Sequence, residues 1–388
     1  MLRPLALLLL SASSAAAAPC GGPFPEFLDR MRQEAIAQGA DPGIAARFFR
    51  GLTQDPKVLR ADRAQGVFQL DFITFSRRLI SQNRIDNGRA NLKAHEATFA
   101  RIERDYGVSR GVLNAFWALE TDYGKVQGDF NTANALATLS HDCRRPELFQ
   151  PQLLAAVTLY ARGDFDPATT RGAWAGEVGM VQMLPADILR NGVDGDGDGH
   201  VRLGTSVPDA LMSGASMLRD LGWRANEPWL QEITVPPDLD WALTGNGRPL
   251  PVADWAARGV VARSGDLAAP SLPASVILPM GRGGPAFLAY PNFDVFLKWN
   301  QSFLYVTTAA YFATRLEGAA VYAAGNPDPG LDGTEMEALQ RKLAALGHDV
   351  GGIDGILGAR TRDAVQAEQA RRGLPADGWP TRALLAAL

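Results

Sequence analysis

The chain has 388 residues, with 38 Lys and Arg against 42 Asp and Glu, a net charge of -4, and 46% hydrophobic and 21% charged residues. The length predicts two or three domains, and the composition excludes a disordered or collagen-like chain. The near-neutral charge argues against a nucleic-acid-binding protein, and two Cys with four His are too few for a Cys-rich zinc cluster. Any chemistry therefore depends on carboxylates, amides and hydroxyls.

The first 18 residues have the pattern of a secretory signal peptide. Arg3 gives a short positive region, residues 5–10 are an apolar run, and small residues at 11–18 offer cleavage sites. The apolar run is too short for a membrane anchor, and no later segment has about 18 uninterrupted apolar residues. We therefore expect an exported, periplasmic protein without a transmembrane anchor. Cleavage near Ala17 is favoured over lipidation of Cys20.

Two cysteines, Cys20 and Cys143, are present in the chain. In an oxidising compartment an even number of cysteines predicts a disulfide, which here would join the mature N-terminus to the body of the domain. Two separate thiols are the alternative.

After the signal peptide the chain divides into three parts, and the predicted fold class is mainly α (α+β). Residues 24–318 are predicted as a helical domain with a small β insertion at about 231–291, where short β-branched runs alternate with Gly and Pro. Residues 319–333 are predicted as a linker, and residues 334–388 as a compact helical module. The predicted helices of the first part cover residues 25–38, 67–82, 88–106, 109–120, 148–162, 207–221 and 292–318.

The C-terminal module (residues 334–388) shows helical periodicity at 335–346, 361–373 and 381–388. Residues 354–361 have the pattern D-G-x-x-G-x-x-T, and residues 373–378 have G-L-x-x-D-G. Together these features resemble the peptidoglycan-binding type 1 domain, a module of three helices. The resemblance implies binding to the glycan or the stem peptide of the cell wall. Glu368-Gln369 stands where that family usually has Phe-Gln.

The candidate catalytic residue is Glu120, which ends a predicted helix that is apolar nearly all round. Loss of solvation raises the pKa of a carboxyl group, which is what a general acid needs near neutral pH. Taken alone, a Glu at the end of a helix is more often a capping or salt-bridged residue.

The motifs around Glu120 resemble those of lytic transglycosylases of the membrane-bound B type. The chain has E-T-D-Y-G at 120–124, and N-A-L-A-T-L-S at 134–140 precedes Arg144-Arg145. Further blocks follow in that family's order: A-G-E-V-G-M-V-Q-M-L-P at 175–185, D-G-D-G-D-G-H at 194–200, P-N-F at 291–293 and K-W-N-Q-S at 298–302. The resemblance covers residues 24–318 and implies a lysozyme-like helical catalytic domain.

The resemblance also implies a reaction and a set of site residues. Glu120 would act alone as general acid and then general base on the β-1,4 bond between MurNAc and GlcNAc, leaving a 1,6-anhydro-MurNAc end without a required cofactor. The substrate would be a peptidoglycan glycan strand, and other cell-wall enzymes are candidate partners. The residues implied in substrate binding are Arg144, Arg145, Gln182, Tyr290, Trp299, Asn300 and Tyr305. The three aromatic residues among them would stack on sugar rings, and core packing is the alternative for each.

Four positions depart from the family pattern: Ala173 replaces a Ser, Glu177 a small residue, Met183 a Phe and Trp299 a Tyr. Two alternatives to the transglycosylase therefore stay open. One is a hydrolytic muramidase that uses water and Glu177 as a second carboxylate. The other is a non-catalytic protein that binds or scaffolds the cell wall.

An acidic loop predicts a weak structural calcium site. Asp194, Asp196 and Asp198 occupy positions 1, 3 and 5 of an EF-hand-like loop, and the carbonyl of His200 would occupy position 7. Thr205 stands at position 12, where a bidentate Glu belongs, so we expect low affinity. The alternative is an Asp-Gly turn without an ion.

Overall fold

The computed structural model describes residues 19–64 and 70–388. The predicted signal peptide and the start of the helix predicted at 67–82 lie outside these residues. Within 19–64 and 70–388, no helix combines the length and the apolar character needed to cross a membrane. Helices dominate and a five-stranded sheet lies within residues 230–289, so the predicted mainly α class with a β insertion is confirmed.

The elements follow one another along the chain as follows. The helices are α1 (Phe24–Ala37), α2 (Pro42–Phe49), α3 (Pro56–Arg63), α4 (Phe72–Leu79), α5 (Gln82–Ala94), α6 (Glu96–Tyr106), α7 (Arg110–Thr121), α8 (Thr132–His141), α9 (Pro146–Arg162), α10 (Pro185–Asn191), α11 (Val207–Asp220), α12 (Val252–Ala257), α13 (Pro291–Trp299), α14 (Phe303–Leu316), α15 (Gly333–Ala345), α16 (Ala359–Arg371) and α17 (Arg382–Ala387). The strands are β1 (Phe130–Asn131), β2 (Arg171–Gly172), β3 (Leu230–Thr234), β4 (Leu250–Pro251), β5 (Val261–Ala262), β6 (Pro273–Ile277) and β7 (Ala286–Ala289).

The chain forms two compact units. Of the described residues, the first unit contains those up to Arg63 together with Gly128–Val178 and Leu184–Leu189. The second contains the described residues of Ala64–Gln127 together with Gly179–Met183 and Arg190–Leu388.

The first unit is built on the pair α8 and α9, against which α1 and α2 pack. Cys20 and Cys143 form a disulfide, with their Cα atoms 5.3 Å apart, so the predicted disulfide is confirmed. It joins residues separated by 123 positions and fastens the segment before α1 to the end of α8. Strands β1 and β2 form a short antiparallel ribbon.

In the second unit, α7 and α14 pack against each other as the central helix pair. Every residue of α7 from Gly111 to Ala118 is buried. A Cβ atom at Gly111 would lie 2.8 Å from the Ala313 carbonyl oxygen of α14, so a larger residue would push the two helices apart.

The same unit contains a five-stranded antiparallel sheet in the order β4-β6-β7-β3-β5. Its core includes Val276, Leu288 and Trp255 of α12. The Trp255 indole N–H donates to the Ala274 carbonyl at 2.7 Å, so burial leaves this polar group satisfied. The sheet lies between α11 and α13 in the sequence and gives the β insertion its own apolar core.

The C-terminal module contains α15, α16 and α17 around a small apolar core that includes Leu339, Val365 and Leu384. Asp332 and Glu335 form a capping box at the start of α15. Glu368, at the position where an aromatic residue was expected, is buried and accepts hydrogen bonds from His348, Arg371 and Arg372. Two guanidinium groups and an imidazole therefore surround Glu368 at this position.

The segment predicted as a linker has no helix or strand before α15, yet it forms hydrogen bonds to other residues of the second unit. The Asn326 amide donates to the Gly283 carbonyl at 2.7 Å, and the Ala323 amide donates to Oε1 of Glu232 at 2.7 Å. The Tyr322 side chain is buried and its hydroxyl contacts that of Ser76 at 2.8 Å.

Two long helices expected from periodicity are each two helices. The helix predicted at 88–106 is interrupted at His95, which ends α5 and precedes α6. The helix predicted at 292–318 is interrupted at residues 300–302, between α13 and α14. Apolar periodicity continues through both breaks because the apolar positions on either side pack into the same core.

Candidate active site

Glu120 lies in the last turn of α7, where the buried helix reaches a half-buried surface. The helix begins at Ser109, whose hydroxyl accepts the Gly111 amide at 3.1 Å. Since the preceding residues of α7 are held in the core, the backbone that carries Glu120 is fixed by packing. The predicted position of this carboxylate at the end of an apolar helix agrees with the structure.

Two donors converge on one oxygen of Glu120. The Tyr305 hydroxyl donates to Oε1 at 2.6 Å, and the Trp299 indole N–H donates to the same atom at 3.2 Å. Trp299 ends α13 and Tyr305 lies in the first turn of α14, so the break between these helices brings both donors to the carboxylate. Hydrogen bonds to an ionised carboxylate are stronger than those between neutral groups.

The orientation of Trp299 is set by packing as well as by its hydrogen bond. Its ring stacks on Phe116, with centroids 4.4 Å apart and planes 24° apart. Phe116 lies one turn before Glu120 on α7, so the helix that carries the carboxylate also supports its donor.

Tyr305 is held as the neutral phenol. Burial raises its pKa well above the usual value, and the nearby charge of Glu120 raises it further. The hydroxyl therefore keeps its proton through the neutral pH range and remains a donor to Glu120.

The turn after Glu120 has an unusual backbone. Asp122 and Tyr123 have φ angles of 49° and 61°, in the left-handed region that residues other than glycine seldom adopt. Arg84 holds this turn, because its Nε donates to Oδ1 of Asp122 at 3.2 Å and its carbonyl accepts the Tyr123 hydroxyl at 2.7 Å. Such strain persists only where the surroundings fix it, and it often occurs at functional sites.

Gln182 is attached to the same turn. Its Nε2 donates to the Gly179 carbonyl at 2.8 Å and to the Gln127 carbonyl at 3.2 Å, and its φ angle is 53°. The Thr121 hydroxyl donates to the Met180 carbonyl at 2.6 Å. The segment with Gln182 is thus bonded to the residues that follow Glu120, although its contact with sugar stays a prediction.

The other predicted substrate residues of this unit differ in their surroundings. Asn300 is half-buried at the end of α13, and its Oδ1 accepts the Ser302 amide at 2.9 Å. Tyr290 is 1% exposed, and its hydroxyl lies 2.8 Å from Oε1 of Gln231. Tyr290 therefore belongs to the core of the β insertion and presents no ring face for a sugar to stack on, which corrects the stacking prediction for this residue.

Arg144 and Arg145 lie in the first unit, where both are paired with the buried carboxylate of Asp62. The Nη1 atom of Arg144 lies 2.5 Å from Oδ2 of Asp62, and the Arg145 guanidinium lies over the ring of Phe149. Both side chains remain partly exposed, and their contact with substrate stays a prediction.

Glu177, the proposed second carboxylate of a muramidase, lies in the first unit. Burial raises the pKa of its carboxyl, and the charge of Arg145 opposes that rise. Its Oε2 atom is buried and has no hydrogen-bond partner among residues 19–64 and 70–388.

The acidic loop brings together a slightly different set of carboxylates from the predicted one. Asp194, Asp196 and the buried Asp209 have oxygens within 4.8 Å of one another, whereas Asp198 pairs with Arg202 at 2.5 Å. Carboxylate oxygens are the ligands that calcium prefers, so this donor set fits the ion. Hydrogen bonds from the Gly199 amide and its neighbours lower the pKa of Asp194 and fold the loop in their own right. His200 donates its amide to Asp198 at 2.9 Å.

The sequence patterns did not indicate several residues of this site. The hydrogen bonds from Trp299 and Tyr305 to Glu120 were not expected, because only sugar stacking was predicted for these side chains. Phe116 and Arg84 were not singled out at all. Their positions depend on the packing of α5, α13 and α14 against α7, and no short motif contains that information.

Comparison with known proteins identifies the family. The family described as Transglycosylase SLT domain matches residues 23–314, and the Putative peptidoglycan binding domain matches residues 332–388. SltB3 from Pseudomonas aeruginosa, solved in complex with NAG-anhNAM-pentapeptide, is 36% identical, with 95% of this chain and 99% of that chain covered and a TM-score of 0.87. The resemblance seen in the sequence motifs is confirmed.

Two further relatives are more distant. Membrane-bound lytic murein transglycosylase B of Escherichia coli (strain K12) is 27% identical over 235 residues, which are 60% of this chain and 63% of that protein. The aligned region thus spans less than two thirds of this curated relative. The Escherichia coli lytic transglycosylase Slt35, solved in complex with calcium, is 23% identical over 77% of this chain and 95% of that chain, with a TM-score of 0.65, and it shows likeness of fold alone. The chain belongs to the transglycosylase SLT domain family and is an enzyme of that family, with a C-terminal domain of the peptidoglycan-binding family.

Proposed function

We propose that the chain is a peptidoglycan lytic transglycosylase that cleaves the β-1,4 bond between MurNAc and GlcNAc and leaves a 1,6-anhydro-MurNAc end. Glu120 is the single acid and base of this reaction. The observation that carries the proposal is the Glu120 carboxylate at the end of a buried helix, with the Tyr305 hydroxyl and the Trp299 indole donating to one of its oxygens. Such fixed donors stabilise the charge that appears on a general acid once it has released its proton.

The proposed reaction has two proton transfers. The proton of the Glu120 carboxyl moves to the bridging oxygen as the bond from that oxygen to C1 of MurNAc breaks. The positive charge on C1 is shared with the ring oxygen. The Glu120 carboxylate then takes the proton of the C6 hydroxyl as O6 bonds to C1. Glu120 regains its proton, and neither water nor a cofactor is consumed.

One carboxylate is enough for this chemistry because the substrate supplies the nucleophile. The C6 hydroxyl lies on the same sugar as C1, and an intramolecular attack has a high effective concentration. The complexes of SltB3 with NAG-anhNAM-pentapeptide and NAG-NAM-pentapeptide support a substrate of this kind for the present chain. Gln182 and Asn300 are proposed to hold polar sugar substituents.

Mass spectrometry of fragments released from purified sacculi tests the proposal. The unmodified chain should release fragments with 1,6-anhydro ends, and Glu120→Gln should reduce their release about 100-fold or more while the protein still sediments with sacculi. Glu147→Gln, at an exposed position of α9, is the matched control and should keep full activity. Undiminished release by Glu120→Gln would contradict the assignment.

A hydrolytic muramidase with Glu177 as a second carboxylate is the second candidate. Burial raises the pKa of the Glu177 carboxyl, which counts against the ionised form that a general base needs. Digestion in ¹⁸O-labelled water separates the two candidates, because hydrolysis places one labelled oxygen on a reducing end whereas the transglycosylase reaction incorporates none.

The compartment and the partners are part of the same proposal. We place the site of action in the periplasm, where the substrate is found and where the disulfide of Cys20 and Cys143 is stable. Glycan strands of peptidoglycan are the proposed ligand of both the helical domain and the C-terminal module. Other cell-wall enzymes are proposed as further partners, and co-purification from crosslinked cells tests this point.

A further inference from the structure

Arg362 of the C-terminal module lies against the part of the second unit that carries the donors to Glu120. It stands in the first turn of α16, and its guanidinium carbon lies 5.1 Å from the centre of the Phe303 ring and 5.6 Å from that of Trp379. Its Nη2 donates to the Pro279 carbonyl at 2.8 Å. Burial lowers the pKa of Arg362 to about 10, so the guanidinium is still a cation at neutral pH.

Phe303 connects this cation to the active site. It is the first residue of α14, two positions before Tyr305 and four positions after Trp299. Its ring also makes an edge-to-face contact with Phe293 of α13, with ring centres 6.3 Å apart. Phe303 thus lies at the junction of the two helices whose ends hold the donors to Glu120.

Two hydrogen bonds shape the turn between the two helices. Asn300 accepts the Ser302 amide at 2.9 Å, and the Ser302 hydroxyl accepts the Tyr305 amide at 3.3 Å. Both bonds are local and exposed, so they constrain the turn itself, whereas its position relative to α7 also depends on the stacking of Trp299 on Phe116 and on the packing of α14 against α7. The stacking of Phe303 under Arg362 is a contact from outside the junction, and a cation over an aromatic face attracts most strongly where both are removed from water.

The module is also bonded to the second unit at points that do not touch Phe303. The Gln366 side chain donates to the Trp241 carbonyl at 3.0 Å and to the Thr244 carbonyl at 2.9 Å. Asp377 accepts the Arg282 amide at 3.0 Å. These bonds attach the module independently, which makes the effect of Arg362 on Phe303 separable from attachment.

We propose that Arg362 is a positioning residue of the transglycosylase reaction: by holding Phe303, it fixes the junction of α13 and α14 and hence the approach of Trp299 and Tyr305 to Glu120. The C-terminal module then contributes to the catalytic geometry in addition to binding the cell wall. This inference rests on the proposed function of Glu120.

The test uses the full chain and a short soluble glycan that contains the MurNAc–GlcNAc bond, so that binding to intact wall does not limit the rate. Arg362→Met keeps the length and apolar stem of the side chain and removes its charge. We expect kcat for anhydro product to fall about 2- to 30-fold while KM stays nearly unchanged. Arg362→Lys should restore most of kcat, because it keeps a cation over Phe303.

A double-mutant cycle separates positioning from simple attachment. In a Tyr305→Phe background, Arg362→Met should lower kcat by a smaller factor than in the unmodified chain, because one of the two donors that it positions is already absent. Gln366→Met, which weakens attachment away from Phe303, should lower the melting temperature and leave kcat nearly unchanged. Should Arg362→Met fail to fold, Phe303→Leu tests the same contact from the other side, with the same expected loss of kcat.

The outcomes distinguish this inference from the function on which it rests. An equal loss of kcat from Arg362→Met in both backgrounds, or no loss in either, would overturn the positioning role. If the unmodified chain releases no anhydro product at all, the proposed function itself fails, and the positioning role fails with it.

Discussion

The Tyr305 hydroxyl lies 2.6 Å from Oε1 of Glu120, although the two residues are 185 positions apart in the sequence. At the opposite end of the same helix pair, the Ser109 hydroxyl donates to the Glu317 carboxylate. The end of α7 therefore meets the start of α14, and the start of α7 meets the end of α14. This antiparallel pairing, fastened at both ends, determines where the Glu120 carboxylate and the Tyr305 hydroxyl meet.

Removing the Tyr305 hydroxyl should slow the reaction without disturbing the fold. For Tyr305→Phe we expect kcat to fall roughly 10- to 100-fold, which corresponds to the loss of one hydrogen bond to a charged group. Tyr311→Phe is the matched control, because Tyr311 lies in the same helix and bonds instead to Arg315 and the Tyr322 amide. It should lower the melting temperature with little effect on kcat. Equal effects of both substitutions on kcat would argue against a role for the Tyr305 hydroxyl in catalysis.

Loss of the disulfide should destabilise the first unit. In the chain-entropy model, a bridge across 123 positions lowers the entropy of the unfolded chain and thereby adds about 5 kcal/mol to the free energy of unfolding. Cys20→Ser, Cys143→Ser and the double variant should therefore show similar and clearly lower melting temperatures by calorimetry. A reductant should lower the melting temperature of the unmodified chain and leave the variants unchanged. A shift caused by reductant in the double variant would show that the bridge is not the source of the effect.

The C-terminal module should contribute an acid-sensitive component to stability through Glu368. Hydrogen bonds from Arg371, and then from His348 and Arg372, lower the pKa of Glu368 from 4.5 to about 2. Because the folded state lowers this pKa, the stabilisation is complete above about pH 4.5 and is lost as the pH falls towards 2.

Glu368→Gln provides the comparison for this expectation. The melting temperature of the unmodified chain should exceed that of Glu368→Gln at pH 6, and the difference should shrink between pH 4.5 and pH 2. Glu337→Gln, which changes an exposed pair with Arg341, should show no such trend. A difference between Glu368→Gln and the unmodified chain that does not change with pH would rule out this origin.

Calcium binding at the acidic loop remains a prediction. Titration with calcium chloride after treatment with chelator should raise the melting temperature at millimolar to sub-millimolar concentrations. Asp196→Asn removes one of the three converging carboxylates and should abolish the rise. Asp198→Asn changes a residue paired with Arg202 and should preserve it. No rise with calcium in the unmodified chain would favour a loop folded by hydrogen bonds alone.

The sequence by itself determined the features that depend on short segments. Glu120 was located because the motif that contains it and the apolar helix before it are contiguous, and helix ends are encoded by local caps and periodicity. The two wall-related domains were recognised because their motifs keep a fixed order along the chain. The disulfide followed from the number of cysteines and the expected compartment, without any knowledge of distance.

Only the tertiary structure decided which side chains meet. Trp299 and Tyr305 reach Glu120 because α13 and α14 break at residues 300–302 and pack on α7, and periodicity runs through that break without a signal. The same packing places Tyr290 in a core and brings Arg362 onto Phe303. Local backbone preferences act over a few residues, whereas contacts between residues far apart in sequence depend on how complete elements fill a shared core. The position of the Glu120 carboxylate is thus encoded in one segment, whereas the positions of its hydrogen-bond donors depend on the tertiary fold.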